Sequence, residues 1–307
     1  MTAATRPVVV GVDGSNDNLG ALRYGAEEAR RAQVPLKLVH VIPDYVPISP
    51  MMPLTPADME QTGATFLTRS EELARAMVPE IEVEGWLHHG TRPVELARGA
   101  EDGQLLVVGR DNRPLIERIL RGDAAAGVAA RSTVPMVLVP SDWEPGRAHG
   151  VVLVGVKSPE HANALLGDAM ELASATGAKL VALHAWRVPS GYDDIIESRV
   201  TAGEWRQRAA DELESLLESR REAYPGVETE ARVVHDHAAH ALVEASSEAD
   251  VLVIVRRAHG VPAATHLGAT ARAVLRAAHC PVRVVPPEPD PAAPKPVPAA
   301  APALVMY

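Results

Sequence analysis

Short apolar runs alternate with longer stretches rich in Ala, Glu and Arg, whose apolar positions recur at helical spacing and whose boundaries carry turn residues. Runs such as Val8-Val9-Val10 and Leu105-Leu106-Val107-Val108 are apolar at every position rather than every second one, as strands covered on both faces require. The alternation is that of βαβ units around a parallel sheet. It predicts strands near 7–13, 35–43, 80–89, 104–109 and 135–140, with helices near 17–32, 57–78, 92–101 and 119–131. The same order then predicts strands near 150–156, 179–186, 227–235, 250–256 and 282–286, with helices near 160–176, 198–222, 238–247 and 267–278.

The second set is a copy of the first. Val8-Val9-Val10-Gly11-Val12-Asp13 returns as Val152-Leu153-Val154-Gly155-Val156-Lys157, and Leu38-Val39-His40-Val41 returns as Leu183-His184-Ala185-Trp186. Further on, Val107-Val108-Gly109-Arg110 is answered by Ile254-Val255-Arg256-Arg257, and Val134-Pro135-Met136-Val137 by Cys280-Pro281-Val282-Arg283. A period this long marks a duplicated domain rather than a solenoid unit. The expected division is a first domain over 1–142, a second over 148–287 and a Pro/Ala-rich tail over 288–307 that lacks the composition for a core. The linker around Pro140–Arg147 is short, which predicts close association of the halves.

Composition narrows the partners. A chain of 307 residues gives roughly 145 residues per copy, enough for a core in each. With one Phe, five Tyr and four Trp, those cores are aliphatic. A net charge of −10 argues against a phosphate-backbone footprint, so nucleic acid is not an expected partner. A single cysteine, Cys280, excludes an internal disulfide framework. No apolar run reaches membrane-spanning length and no signal segment is visible, so a soluble, cytoplasmic protein without a membrane partner is expected.

In open α/β sheets ligands bind beyond the carboxyl ends of the strands, and phosphates favour helix N-termini. Two loops of the first half qualify: Gly11-Val12-Asp13-Gly14-Ser15 after strand one, and Gly109-Arg110-Asp111-Asn112 after strand four, with Gly122-Asp123 opening the next helix. Asp13 can accept hydrogen bonds from a base or ribose, or simply shape the turn into the following helix. No P-loop, nucleophile elbow or dinucleotide glycine loop is present, so catalysis is not expected. His235-Asp236-His237-Ala238-Ala239-His240 is the most metal-like stretch, but cap and loop roles account for its residues and no metal is expected.

The duplicated order, the opening Val-Gly-Val-Asp-Gly-Ser, the strand-two Val-His-Val, the strand-four Val-Val-Gly-Arg and the closing Val-Pro-Met-Val-Leu-Val resemble the universal stress protein family over about residues 6–286. The resemblance implies two tandem, open-twisted, parallel five-stranded sheets flanked by helices, Rossmann-like, packed as a pseudo-dimer with Val137–Val139 beside Val282–Val285. ATP-binding members carry Gly-x2-Gly-x9-Gly-Ser/Thr around the phosphates. By that resemblance Gly11, Val12, Asp13 and Val41 hold the nucleoside, and Gly109, Asn112, Gly122 and Asp123 the phosphates, of ATP, ADP or AMP. Two positions depart from the pattern. Asn112 replaces a glycine, and Asp123 replaces a hydroxyl donor with a carboxylate that repels phosphate.

The second half departs further. Lys157 replaces Asp13; Arg256 and His259 read as replacing the two loop glycines, in a loop one residue short. Lys157, Arg256, Arg257 and His259 form either an anion cluster or a decayed site with solvated charges. The expectation is a stress-response regulator with a weak or lost adenine-nucleotide site in the first domain and none in the second. The alternative is an interaction scaffold that binds no nucleotide. An unidentified protein partner and a homodimer are both open.

Overall fold

The computed structural model describes residues 5–44, 55–110, 124–146, 148–157, 162–187, 201–256 and 267–287. The first half contains β1 (Val8–Gly11), α1 (Leu19–Ala32), β2 (Leu36–Ile42), α2 (Pro56–Met77), β3 (Val83–His89), α3 (Arg92–Gly99), β4 (Leu105–Gly109), α4 (Ala124–Arg131) and β5 (Met136–Val139). The second half repeats this with β6 (Val151–Gly155), α5 (Ala162–Thr176), β7 (Lys179–Trp186), α6 (Thr201–Arg221), β8 (Thr229–His235), α7 (Ala238–Ala245), β9 (Val251–Val255), α8 (Ala269–Ala277) and β10 (Val282–Val285). Every expected strand forms, though β1 stops at Gly11, before the turn residues at 13–15.

The two five-stranded sheets are halves of one ten-stranded sheet ordered β3-β2-β1-β4-β5-β10-β9-β6-β7-β8. Strands are parallel within each half, and β5 meets β10 antiparallel, with Val282 opposite Leu138, Arg283 opposite Val137 and Val284 opposite Met136. The anticipated last-strand seam therefore forms. Because the direction reverses there, the strand carboxyl ends of the two halves point to opposite ends of the sheet.

Alternate strand residues feed two apolar layers, which explains the continuous apolar runs. Val8, Val10, Leu36 and Leu38 pack with Leu22 and Ala26 of α1, and the same layer continues into Val152, Val154, Leu165 and Met170. Val9, Val39, Leu106 and Val128 lie on the other face with Leu153, Leu242, Leu252 and Val274. Local chemistry fixes the ends of helices. Thr55 caps α2 through a reciprocal capping box with Asp58, followed by Pro56 in the first turn. Trp143 of the linker packs edge-on against Tyr24 of α1 at 5.0 Å between ring centroids, which ties the connection down.

The two halves differ at the centre of the seam. α1 and α5 end alike, Val34 N–H donating to Ala29 and Ala178 N–H to Ala173, which makes Asp168 the counterpart of Tyr24. Arg283, the counterpart of Val137, donates to both oxygens of Asp168 at 2.6 and 2.7 Å with little exposure of either side chain. Burial works against the Arg283 charge, but the Asp168 carboxylate overcomes it and holds the guanidinium pKa above its ordinary value.

Candidate functional site

The first-half site is built at the carboxyl end of β1, beside β2 and β4. After Gly11 the chain stays tethered: Val12 N–H donates to Val39 at 2.9 Å, and its carbonyl accepts from His40 Nδ1 at 2.8 Å. A carbonyl can only accept, so this bond places the imidazole proton on Nδ1. Burial of His40 lowers its pKa and keeps the ring neutral. Gly14 then turns with φ +76°, and a Cβ there would lie 2.3 Å from the Phe66 ring, so the turn requires glycine.

Asp13 is exposed, and its Oδ1 accepts from Ser15 N at 2.9 Å and Ser15 Oγ at 2.7 Å. Its Oδ2 accepts from no group among the described residues. Asn18 donates from Nδ2 to the Gly11 carbonyl at 3.0 Å, and that same Nδ2 lies 3.1 Å from where a Gly109 Cβ would stand. Gly11 and Gly109 thus meet at Asn18, with Asp13 two residues beyond Gly11 in the chain. Val41 lies in β2, buried in the core at 3% exposure, and so offers no side-chain group to a ligand. Asn112, Gly122 and Asp123 lie outside the described residues. Sequence reasoning singled out neither Asn18 nor the role of His40. An Asn at a helix start and the Val-His-Val run were the available signals.

The second half keeps the scaffold and changes the chemistry. His184 Nδ1 bonds the Val156 carbonyl at 3.0 Å, as His40 does that of Val12. Exposed Lys157 stands in the place of Asp13. Sheet register corrects the alignment at strand four. Gly109 is opposite Val139 and Val255 opposite Val285, while Arg110 N–H donates to Val139 and Arg256 N–H to Val285. The counterpart of Gly109 is therefore Val255, and Arg256 matches Arg110. From these arginines to Gly122 and Gly268 the chain runs twelve positions in both halves, so the second loop is not shortened. Ala269, at the start of α8, occupies the position of Asp123.

The side chain of Arg256 does not stand free in an anion cluster. It crosses the seam and donates from Nη1 to the carbonyls of Ala129 and Ala130, near the end of α4. Arg110 reciprocates, donating to the carbonyl of Ala278 just beyond α8. Each thus supplies a cation to a helix C-terminus of the other half. Arg257 and His259 lie outside the described residues. A cavity of 390 Å³ opens at this end of the second half, lined by Lys157, Ala185, Leu242, Ile254 and Leu267 among others.

The histidine-rich stretch is dispersed. His240 bonds Asp236 at 2.6 Å, His237 contacts Arg187, and His235 packs on Trp186. No cluster of three or more His, Cys, Asp or Glu suited to a metal occurs among the described residues. Cys280 is buried, and burial pushes its thiol pKa up to about 12, which leaves it protonated and unreactive. No helix among the described residues is long and apolar enough to cross a membrane.

Comparison with known proteins agrees with this architecture. A universal stress protein of Mycobacterium tuberculosis is 29% identical over 285 residues, covering 90% of this chain and 96% of its own. Another from Mycolicibacterium smegmatis is 26% identical over 287 residues, covering 91% and 97%. Among solved structures, a universal stress protein of Archaeoglobus fulgidus superimposes with a TM-score of 0.70 at 19% identity, covering 92% of this chain and 97% of that one. A functionally unknown protein of Pseudomonas aeruginosa gives 0.61 at 16% identity, covering 92% and 93%. The model of the universal stress protein family matches twice, over residues 4–140 and 149–286, and on that evidence the chain belongs to this family.

Proposed function

We propose that this chain is a stress-response regulator whose first domain, 1–142, holds an adenine nucleotide weakly, and whose second domain, 148–287, holds none. One observation carries the reading: Asp13, two residues beyond β1, has Oδ1 fixed by Ser15 and Oδ2 without a partner among the described residues, while Lys157 occupies the equivalent position in the second half. A carboxylate accepts from the N–H and O–H donors of a base or ribose, whereas a charged lysine only donates. Gly109 leaves the end of β4 without a side chain, as close backbone approach to phosphates needs. Asp123, where the family pattern has a hydroxyl, is the reason for weak triphosphate affinity and favours AMP or ADP over ATP.

The scaffold reading, with no nucleotide at all, draws on the same Asp123 together with Asn112. Mass spectrometry of small molecules released from denatured, freshly purified protein separates the two, followed by calorimetry with ATP, ADP and AMP. The proposal expects no more than one nucleotide per chain. Asp13→Ala should abolish binding and Lys157→Ala should leave it unchanged. Two nucleotides per chain, or none under any condition, would refute the assignment.

A further inference from the structure

The 390 Å³ cavity lies within the size range of small-molecule sites, at the carboxyl ends of β6, β7 and β9 where parallel sheets bind their ligands. Much of its wall is aliphatic, with Leu165 from α5, Leu183 and Ala185 from β7, Leu242 from α7, Ile254 from β9 and Leu267 before α8, and its polar part comes from Lys157, Arg256, Thr270 and backbone. No Asp or Glu is among its described lining residues. Of the two cationic residues among its described lining, Lys157 and Arg256, Arg256 is committed to the carbonyls of Ala129 and Ala130. Lys157 has no ion pair among the described residues. Among the described residues the cavity therefore combines a largely aliphatic lining with one positive charge that has no ion pair, Lys157, at its margin beside the strand-one loop.

We propose that this second-half cavity binds a compact organic anion with an apolar body, an aryl or alkyl carboxylate or phosphate monoester, whose charged end is held by Lys157. The apolar part replaces water against the leucine walls, and the anion neutralises a lysine flanked by low-dielectric surface. α8 opens at the same wall with Gly268 as its N-cap and no side-chain cap, so the N–H groups of its first turn add to the anion preference. A nucleoside is the poorer occupant, because the carboxylate that serves its donors in the first half is replaced here by a donor. The two halves would then report on different metabolite classes.

The test uses the full chain carrying Asp13→Ala, so that the first-half site contributes nothing and a failure here is separable from a failure of the nucleotide reading. The fluorescent probe is 8-anilinonaphthalene-1-sulfonate, displaced by 4-phenylbutyrate, by phenyl phosphate, by the neutral 4-phenylbutan-1-ol and by AMP. The expected result is saturable binding of one probe per chain, with displacement by both anions at concentrations at least tenfold below the alcohol and AMP. The two anions, compared with each other, identify carboxylate or phosphate as the preferred head group. Lys157→Glu should weaken the probe at least tenfold while Lys157→Arg retains it. Ala185→Phe, which fills the cavity, should abolish binding with circular dichroism unchanged. Absence of saturation, equal displacement by the alcohol, stronger displacement by AMP, or indifference to Lys157→Glu would each overturn the proposal. Should Ala185→Phe fail to fold, the Lys157 pair decides alone.

Discussion

Removing Asp168 should destabilise the seam more than any surface substitution. Its carboxylate accepts two bonds from Arg283, at 2.6 and 2.7 Å, and the two side chains are only 13% and 12% exposed. Asp168→Ala leaves a guanidinium buried beside Tyr24 without its counter-charge. Losing one partner of a buried pair typically costs about 3–5 kcal/mol, roughly two to three and a half orders of magnitude in the folding equilibrium. Arg283 sits on β10 opposite Val137, so the damage should concentrate where the halves join. Urea unfolding should show a lower midpoint at nearly unchanged slope, and amide exchange should accelerate first in β5 and β10. Replacing both residues by Leu removes the stranded charge and should restore most of the lost stability. If Asp168→Ala lies within about 1 kcal/mol of the parent chain, or if the double Leu variant is as unstable as the single, the pair is solvated and the reasoning fails.

The reciprocal arginines give a second test: Arg110→Ala and Arg256→Ala should each cost about 1–2 kcal/mol by leaving helix-end carbonyls unsatisfied, and their costs should add because the two contacts are separate. No loss of stability in either variant would show that water replaces the guanidinium freely. A third concerns pH. His40 has a folded pKa below its ordinary value of 6.5 because it is buried, so its contribution is fully present above that pH. As pH falls below 6.5 the unfolded chain takes the proton first, and stability declines until the folded pKa is reached. His40→Gln should flatten this part of the pH–stability curve, and an unchanged slope would exclude His40 as its source.

Most of the fold was legible because continuous apolar runs have few alternatives. Val8–Val10 and Leu105–Val108 are apolar at every position, and only a strand covered on both faces needs that. The last-strand seam was legible through the family resemblance and the short linker rather than through the strands themselves, since β10 carries Arg283 among its valines. The strand-four alignment failed because Val255-Arg256-Arg257 contains no glycine to mark its phase, and the partner strand alone decides which residue follows the sheet. Arg256 therefore read as a candidate anion ligand, although its partners are carbonyls of the other half, about 126 residues away in sequence. The second-half cavity was equally hidden, since it depends on how Leu242, Ile254 and Leu267 pack together rather than on any motif. At the first-half site, Asp13 and Gly109 were visible as loop residues, whereas Asn18 matters only because β1 and β4 are neighbours.

Arg283 also bears on which strands can mate. In the antiparallel seam it lies opposite Val137. If two second halves from different chains associated through the same edge, Arg283 would face Arg283, and like charges directly opposite one another disfavour such a pair. The first half, with Val137 and Tyr24 at those places, brings no opposing charge there. Covalent fusion keeps the matched edge at high effective concentration and consumes it, leaving β3 and β8 as the outer strands. Self-association through the central edge is thereby discriminated against by a single side chain. A homodimer of identical subunits changes both of its sites with every mutation, whereas this chain can retune one end of its sheet while the other stays as it was.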